Sequence, residues 1–110
     1  MKTVETVADE VLREGLDDWI PIDVLLWHAK KSAMRSGCEF KEIVRGVLRF
    51  LLAEDLVMIG DIGDSGFESW SISPVEAVDR AIYLCDSMGW EPFGGACWIA
   101  NTKKGSGRVS

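Results

Sequence analysis

The chain has 110 residues, enough for one hydrophobic core and not for two. Hydrophobic residues make up 47% and charged residues 27%, the balance of a folded protein rather than a disordered one. A net charge of −6 disfavours phosphate-rich partners, a single histidine removes most zinc and Ser/Cys–His chemistry, and three cysteines without a CxxC spacing argue against a disulfide framework.

The opening residues, MKTVETVADEVLREGL, carry acids where a signal peptide needs a continuous apolar stretch. No run approaches the roughly 18 apolar residues of a membrane span. The expectation is a cytoplasmic protein without membrane contact, its thiols Cys38, Cys85 and Cys97 reduced and mostly buried.

Residues 3–14 read as a first helix. Val4, Val7, Ala8, Val11 and Leu12 recur at helical spacing, Thr3 can cap the start, and Gly15 can end it in a left-handed conformation. The stretch DDWIPI is broken by Pro21 and reads as a brief strand. Residues 22–36 form a second helix with Ile22, Leu25, Leu26, Ala29 and Ala33 on one stripe, closed by Gly37. Ser36 and Glu39 have the spacing of a capping box, so a third helix follows over about 38–54, with Phe40, Ile43, Val44, Val47, Leu48, Leu51 and Leu52 on a broad apolar face. Two helices joined so tightly through a glycine make a helix-turn-helix.

Leu56 to Ile62 and Phe67 to Ile72 are the arms of a β-hairpin around Gly63-Asp64-Ser65-Gly66. Ser73, Pro74 and Glu76 then give the clearest helix start in the chain, a cap, a first-turn proline and a second capping box. Val75, Val78, Ala81, Ile82, Cys85 and Met88 form a fourth amphipathic helix ending at Gly89. WEPFGG reads as a loop and ACWIANT, residues 96–102, as a last strand. The expectation is one α+β domain over 1–102, with three N-terminal helices, a hairpin, a fourth helix and a C-terminal strand, followed by a flexible tail over 103–110.

Charge is unevenly spread along this order. Residues 1–54 hold 8 bases and 10 acids, whereas residues 55–102 hold only Arg80 against Asp55, Asp61, Asp64, Glu68, Glu76, Asp79, Asp86 and Glu91. The second half of the domain should repel phosphate and attract a basic partner.

The order helix, short strand, helix, helix, hairpin over residues 3–72 resembles a winged helix-turn-helix. WIPIDVLL stands as the strand entering the second helix, and LLAEDLVMIGD as the third helix leading into the wing. The resemblance implies a winged-helix-like fold in which the fourth helix and last strand are an elaboration; it speaks to fold and not to activity. In a DNA-binding winged helix the third helix enters the major groove. Its outward face here holds Glu42, Arg45, Gly46, Arg49 and Ala53, so Arg45 and Arg49 would carry a transcriptional-regulator reading. The plainer reading is that the two arginines solvate that face, paired with carboxylates such as Glu42. Asp61, Asp64 and Glu68 stand where a DNA-binding wing needs cations, so nucleic acid is not the expected partner.

Those hairpin acids match no cation-loop motif and read as a polar turn. His28, beside Trp27 and about a turn after Asp23, reads as a surface or half-buried structural histidine, and Cys97 as core. No catalytic residue, metal or cofactor is expected, and no enzyme. Tryptophan is frequent, at positions 19, 27, 70, 90 and 98, and an exposed tryptophan ringed by carboxylates makes a protein docking surface. The residues expected to form one are Asp61, Asp64, Glu68 and Trp70 of the hairpin, with Asp79 and Asp86 of the fourth helix.

Size, acidity, the lack of catalytic residues and the aromatic–acid mixture resemble small bacterial immunity proteins, including those of contact-dependent growth inhibition. The resemblance covers composition and domain type, and no residue of a family motif carries over. It implies a basic toxin domain as partner, because a nuclease toxin must be basic to hold its substrate and an acidic surface associates with it quickly. A DNA-binding regulator and a winged-helix dimerisation module stand as the alternatives, and the oligomeric state is left open.

Overall fold

Helical spacing of apolar residues becomes a helical layer at the N-terminal end of the chain. In a computed structural model, which describes residues 2–110, α1 (Lys2–Glu14), α2 (Ile22–Ser36) and α3 (Phe40–Ala53) pack on one another. Met1, where the expected domain begins, lies outside the described residues. Val7, Val11, Leu12, Ile22, Leu25, Ile43, Val44, Val47, Leu48 and Leu51 are sealed from solvent. Gly37 closes α2 with φ 75°. The cap of α3 differs from expectation: the Glu39 carboxylate accepts the Glu42 N–H at 3.0 Å, and Ser36 Oγ turns to the Cys38 N–H instead. Glu39 is itself the N-cap, so α3 begins two residues later than the box implied.

Gly15 does not adopt the left-handed conformation expected of it. It is buried because a Cβ there would overlap the Asn101 side-chain amide, whose Nδ2 donates to the Leu12 carbonyl at the end of α1. An asparagine nearly 90 residues away in sequence thus satisfies that helix end.

The sheet is four-stranded and antiparallel throughout. It contains β1 (Ile20–Pro21), β2 (Val57–Gly63), β3 (Gly66–Ser69) and β4 (Trp98–Asn101) in the order β1-β4-β2-β3. The last strand in sequence therefore sits inside the sheet, pairing with β1 on one side and β2 on the other. Without it the hairpin and β1 share no neighbour, so β4 is a structural requirement rather than an appendage to the hairpin. Pairing fixes the faces, because opposed residues share a side. Ile20, Val57, Ile59 and Ile99 point inward and are buried with the helices.

α4 (Pro74–Ser87) begins as its sequence predicts, with Ser73 and Glu76 forming a reciprocal capping box and Pro74 in the first turn. It packs beside α3, burying Ala77, Val78, Ala81 and Cys85. Val75 and Met88, expected on its buried stripe, are exposed: Val75 lies in the first turn, beside an open groove against Arg45 and Arg49 of α3, and Met88 lies past the last turn as the C-cap.

The segment 103–110, expected as a flexible tail, is a correction. Residues Lys103–Val109 form α5, opened by Thr102, whose hydroxyl accepts the Gly105 N–H. Gly105 is buried so tightly that a Cβ would overlap the Leu56 carbonyl oxygen. Arg108 Nε donates to Asp9 of α1 at 2.7 Å, and Thr102 Oγ1 donates to the Asp55 carbonyl at 2.7 Å. A short polar helix of poor intrinsic propensity persists because tertiary partners hold it. Among the described residues, no helix is long and apolar enough to cross a membrane.

Candidate protein-binding surface

The six residues expected to form one docking patch divide among three places. Asp61 and Glu68 stand directly opposite each other on β2 and β3, beyond the inner core. The Glu68 carboxylate lies over Gly63, and the Asp61 carboxylate accepts the Trp70 indole N–H at 2.9 Å. Arg80 of α4 stacks on the Trp70 ring, 4.2 Å from its centroid, so Trp70 is half-buried between a cation and the sheet. Asp64 sits alone at the exposed turn. Asp79 pairs with Arg45 of α3 at 3.3 Å, and Asp86 accepts the Trp90 indole N–H at 3.1 Å. Four of the six, Asp61, Trp70, Asp79 and Asp86, are thus already engaged within the fold.

The outward face of α3 is also less open than helical geometry suggested. Gly46 abuts Val4 of α1, and α4 lies along the flank that carries Arg45 and Arg49. The partner of Arg45 is Asp79, not Glu42. The two arginines rim a groove of about 150 Å³ floored by Ala53, Val75 and Val78. A duplex laid on this flank would meet Asp79 beside Arg45, a repulsive neighbour for phosphate.

His28 is buried, and its partners lie on α1 rather than at Asp23. Its Nε2 is 3.1 Å from Glu14, and Glu10 stands 3.7 Å from Nδ1. Asp23 instead accepts the Gly94 N–H at 3.1 Å. Burial, with the Asp23 carboxylate second, pushes the Cys85 thiol up to about 11, and burial raises Cys97 as well. Such thiols stay protonated near neutrality and are poor nucleophiles.

What the sequence reading missed is the outer face of the sheet. Met58, Ile62, Phe67 and Trp98 share that side by register, and Trp19 packs against it, its ring centroid 6.0 Å from that of Phe67. Trp19 is 44% exposed, Met58 41% and Ile62 42%, and among the described residues no helix covers them. Exposed acids border the patch: Asp17 and Asp18 in the loop that carries Trp19, and Asp64 at the hairpin turn. Asp18 Oδ1 accepts the Trp19 N–H at 2.8 Å, which fixes the loop that presents the ring. One signal could have found this surface. VMIGDI is apolar on both of its faces, although a single helical layer can bury only one.

An apolar centre with an acidic rim favours a partner that offers apolar surface ringed by lysine or arginine. No protein-family model matches the chain, and comparison with curated proteins and with solved structures returns no match.

Proposed function

We infer that the protein is a cytoplasmic protein-binding module whose outer sheet face docks a basic protein. The observation that carries this reading is the exposed Trp19 packed at a tilt against Phe67 beside Asp17 and Asp18. Exposed aromatic anchors supply most of the energy of protein interfaces, and rim charges set the rate and specificity of encounter. The net charge of −6 extends that steering beyond the contact itself.

The finer form of the reading is an immunity protein that occupies and neutralises a basic bacterial toxin. The sequence of elements α1, β1, α2, α3, β2, β3 supports a winged-helix-like ancestry, with β4 added between β1 and β2. On this reading the hairpin serves as a protein-docking element in place of a DNA-binding wing. The regulator reading through Arg45 and Arg49 gains no support from an arginine tied to Asp79 and a flank occupied by α4.

The test is a binding titration against the basic protein that the wild type retains from nuclease-treated source cells, with the wild type compared with Trp19→Ala and with Asp17→Lys/Asp18→Lys. Loss of Trp19 should weaken the complex at least about tenfold, the behaviour of an interface hot spot. The charge reversal should slow association most at low salt. Binding indifferent to all three substitutions overturns the reading, and DNA binding that they strengthen would restore the regulator alternative.

A further inference from the structure

The loop joining α4 to β4 exposes an aromatic ring at two separate costs. Phe93 is 87% exposed and holds φ 47°, a conformation that side-chain-bearing residues rarely adopt. Trp90, three residues earlier, has φ 62°. The loop is nonetheless firmly pinned: Pro92 is buried, its carbonyl accepts the Gly95 N–H at 2.8 Å, and Asp23 accepts the Gly94 N–H at 3.1 Å. Backbone strain of this kind persists only where the surroundings over-determine it.

Beside the ring lies a cleft of about 220 Å³ between this loop and α2. Its walls include Trp27, Trp90, Pro92 and Phe93, with Lys30 at one rim and Glu91 at another. Trp27 is 59% exposed and braced in place by the His28 ring, 4.9 Å away, and by Lys31 Nζ over its face at 4.7 Å. Lys41 sits 5.2 Å from the centroid of the Trp90 ring. In a chain of net charge −6, Lys30, Lys31 and Lys41 at this end offset Asp23, Asp86 and Glu91, so like molecules meet less repulsion here than over the rest of the surface.

The patch therefore carries a protruding ring, a cleft able to receive a ring, the Lys30 cation, and the Glu91 anion beside an Asp23 carboxylate already tied to the Gly94 N–H. A surface with both halves of a contact is self-complementary under a two-fold axis. We propose that the Trp27–Phe93 surface is a homodimer interface, in which Phe93 of each copy enters the cleft of the other and Lys30 of each meets Glu91 of its partner. The aromatic contact supplies the affinity, and the reciprocal ion pairs set the register. This surface is distinct from the outer sheet face, and the proposal does not depend on what that face binds.

The experiment is sedimentation of the full chain from about 1 µM to about 1 mM, a span that covers the affinities expected of a small interface. The wild type should pass from monomer to dimer within that range. Phe93→Ala should raise the dimer dissociation constant at least about tenfold while leaving the circular dichroism unchanged, because the ring is 87% exposed in the monomer. Lys30→Glu and Glu91→Lys should each weaken self-association. A mixture of these two variants should dimerise again, since each heterodimer then restores both opposite-charge pairs. A chain that stays monomeric at about 1 mM overturns the proposal. So does a dimer indifferent to Phe93→Ala, or a mixture that associates no better than its components.

Discussion

On the inner side of the sheet Ile20, Val57, Ile59 and Ile99 are buried beneath the helices; one position along the same strands, Trp19, Met58 and Trp98 look the other way, Trp19 and Met58 largely open to solvent and Trp98 partly so. Both sets are apolar, so residue type does not decide which one is buried. The difference comes from layering: among the described residues five helices serve a four-stranded sheet, and Trp19, Met58 and Ile62 stay open to solvent. Fully burying a side chain of this size is worth about 1.5–3 kcal/mol. Leaving several uncovered forgoes that stabilisation, which a bound partner can recover.

The sharpest way to break this comparison is to cut into the inner face. Ile99→Ala should destabilise the domain by about 2–5 kcal/mol, the cost of lost burial plus a cavity, measured by urea unfolding. A loss below about 1 kcal/mol would mean that the inner face is not the core described here. Gly105→Val comes next, because its side chain must displace either the Leu56 carbonyl or α5 itself. A loss of about 1–3 kcal/mol is expected, the range for overpacking a tight contact, together with faster amide exchange in the last helix.

High pH should weaken the inner side selectively. The Cys85 thiol rises from its usual 9.0 to about 11 in the folded chain, so the unfolded chain releases that proton first. The associated stability is intact below about 9 and is lost as pH climbs toward about 11. Cys85→Ala should flatten that part of the stability–pH curve; an unchanged slope would remove Cys85 as its source. On the outer face, Trp19→Ala should change stability by less than about 1 kcal/mol, as exposed substitutions do, whereas the proposed docking role predicts a large loss of partner binding. Equal losses of folding and binding would erase the distinction between the two faces. The smallest effect should come from Arg45→Ala, which removes an exposed ion pair worth about 0.2–1 kcal/mol.

Features encoded by neighbours a few residues apart were legible. The limits of α2 and the Ser73–Glu76 capping box of α4 follow from local spacing, and both are present. The Ser36–Glu39 pair obeyed the same pattern and did not form a box, because Glu39 caps α3 on its own. α5 was illegible for the opposite reason: its determinants are Leu56, Asp55 and Asp9, all more than 40 residues away. The candidate surface was half legible. Its acidic character and its reliance on an exposed tryptophan could be read, but not which tryptophan, since Trp70 is drawn down by Asp61 and Arg80 while Trp19 is held outward on Phe67.

The position of β4 also sets an order of events during synthesis. A ribosome delivers residues 98–101 about 30 residues after the hairpin ends at Ser69, yet the sheet needs them at its centre. Until they arrive, the inner edge of β2 has no strand beside it and β1 has no partner at all. The nascent chain must therefore pass through an interval with an open apolar edge, and the final strand enters by insertion between two waiting strands rather than by addition to one. Long-range pairing of this kind is slow, and exposed edges invite pairing with other chains. The time from Gly63 to Asn101 is then a period of aggregation risk, when holding by a chaperone or slow dilution during refolding would matter most.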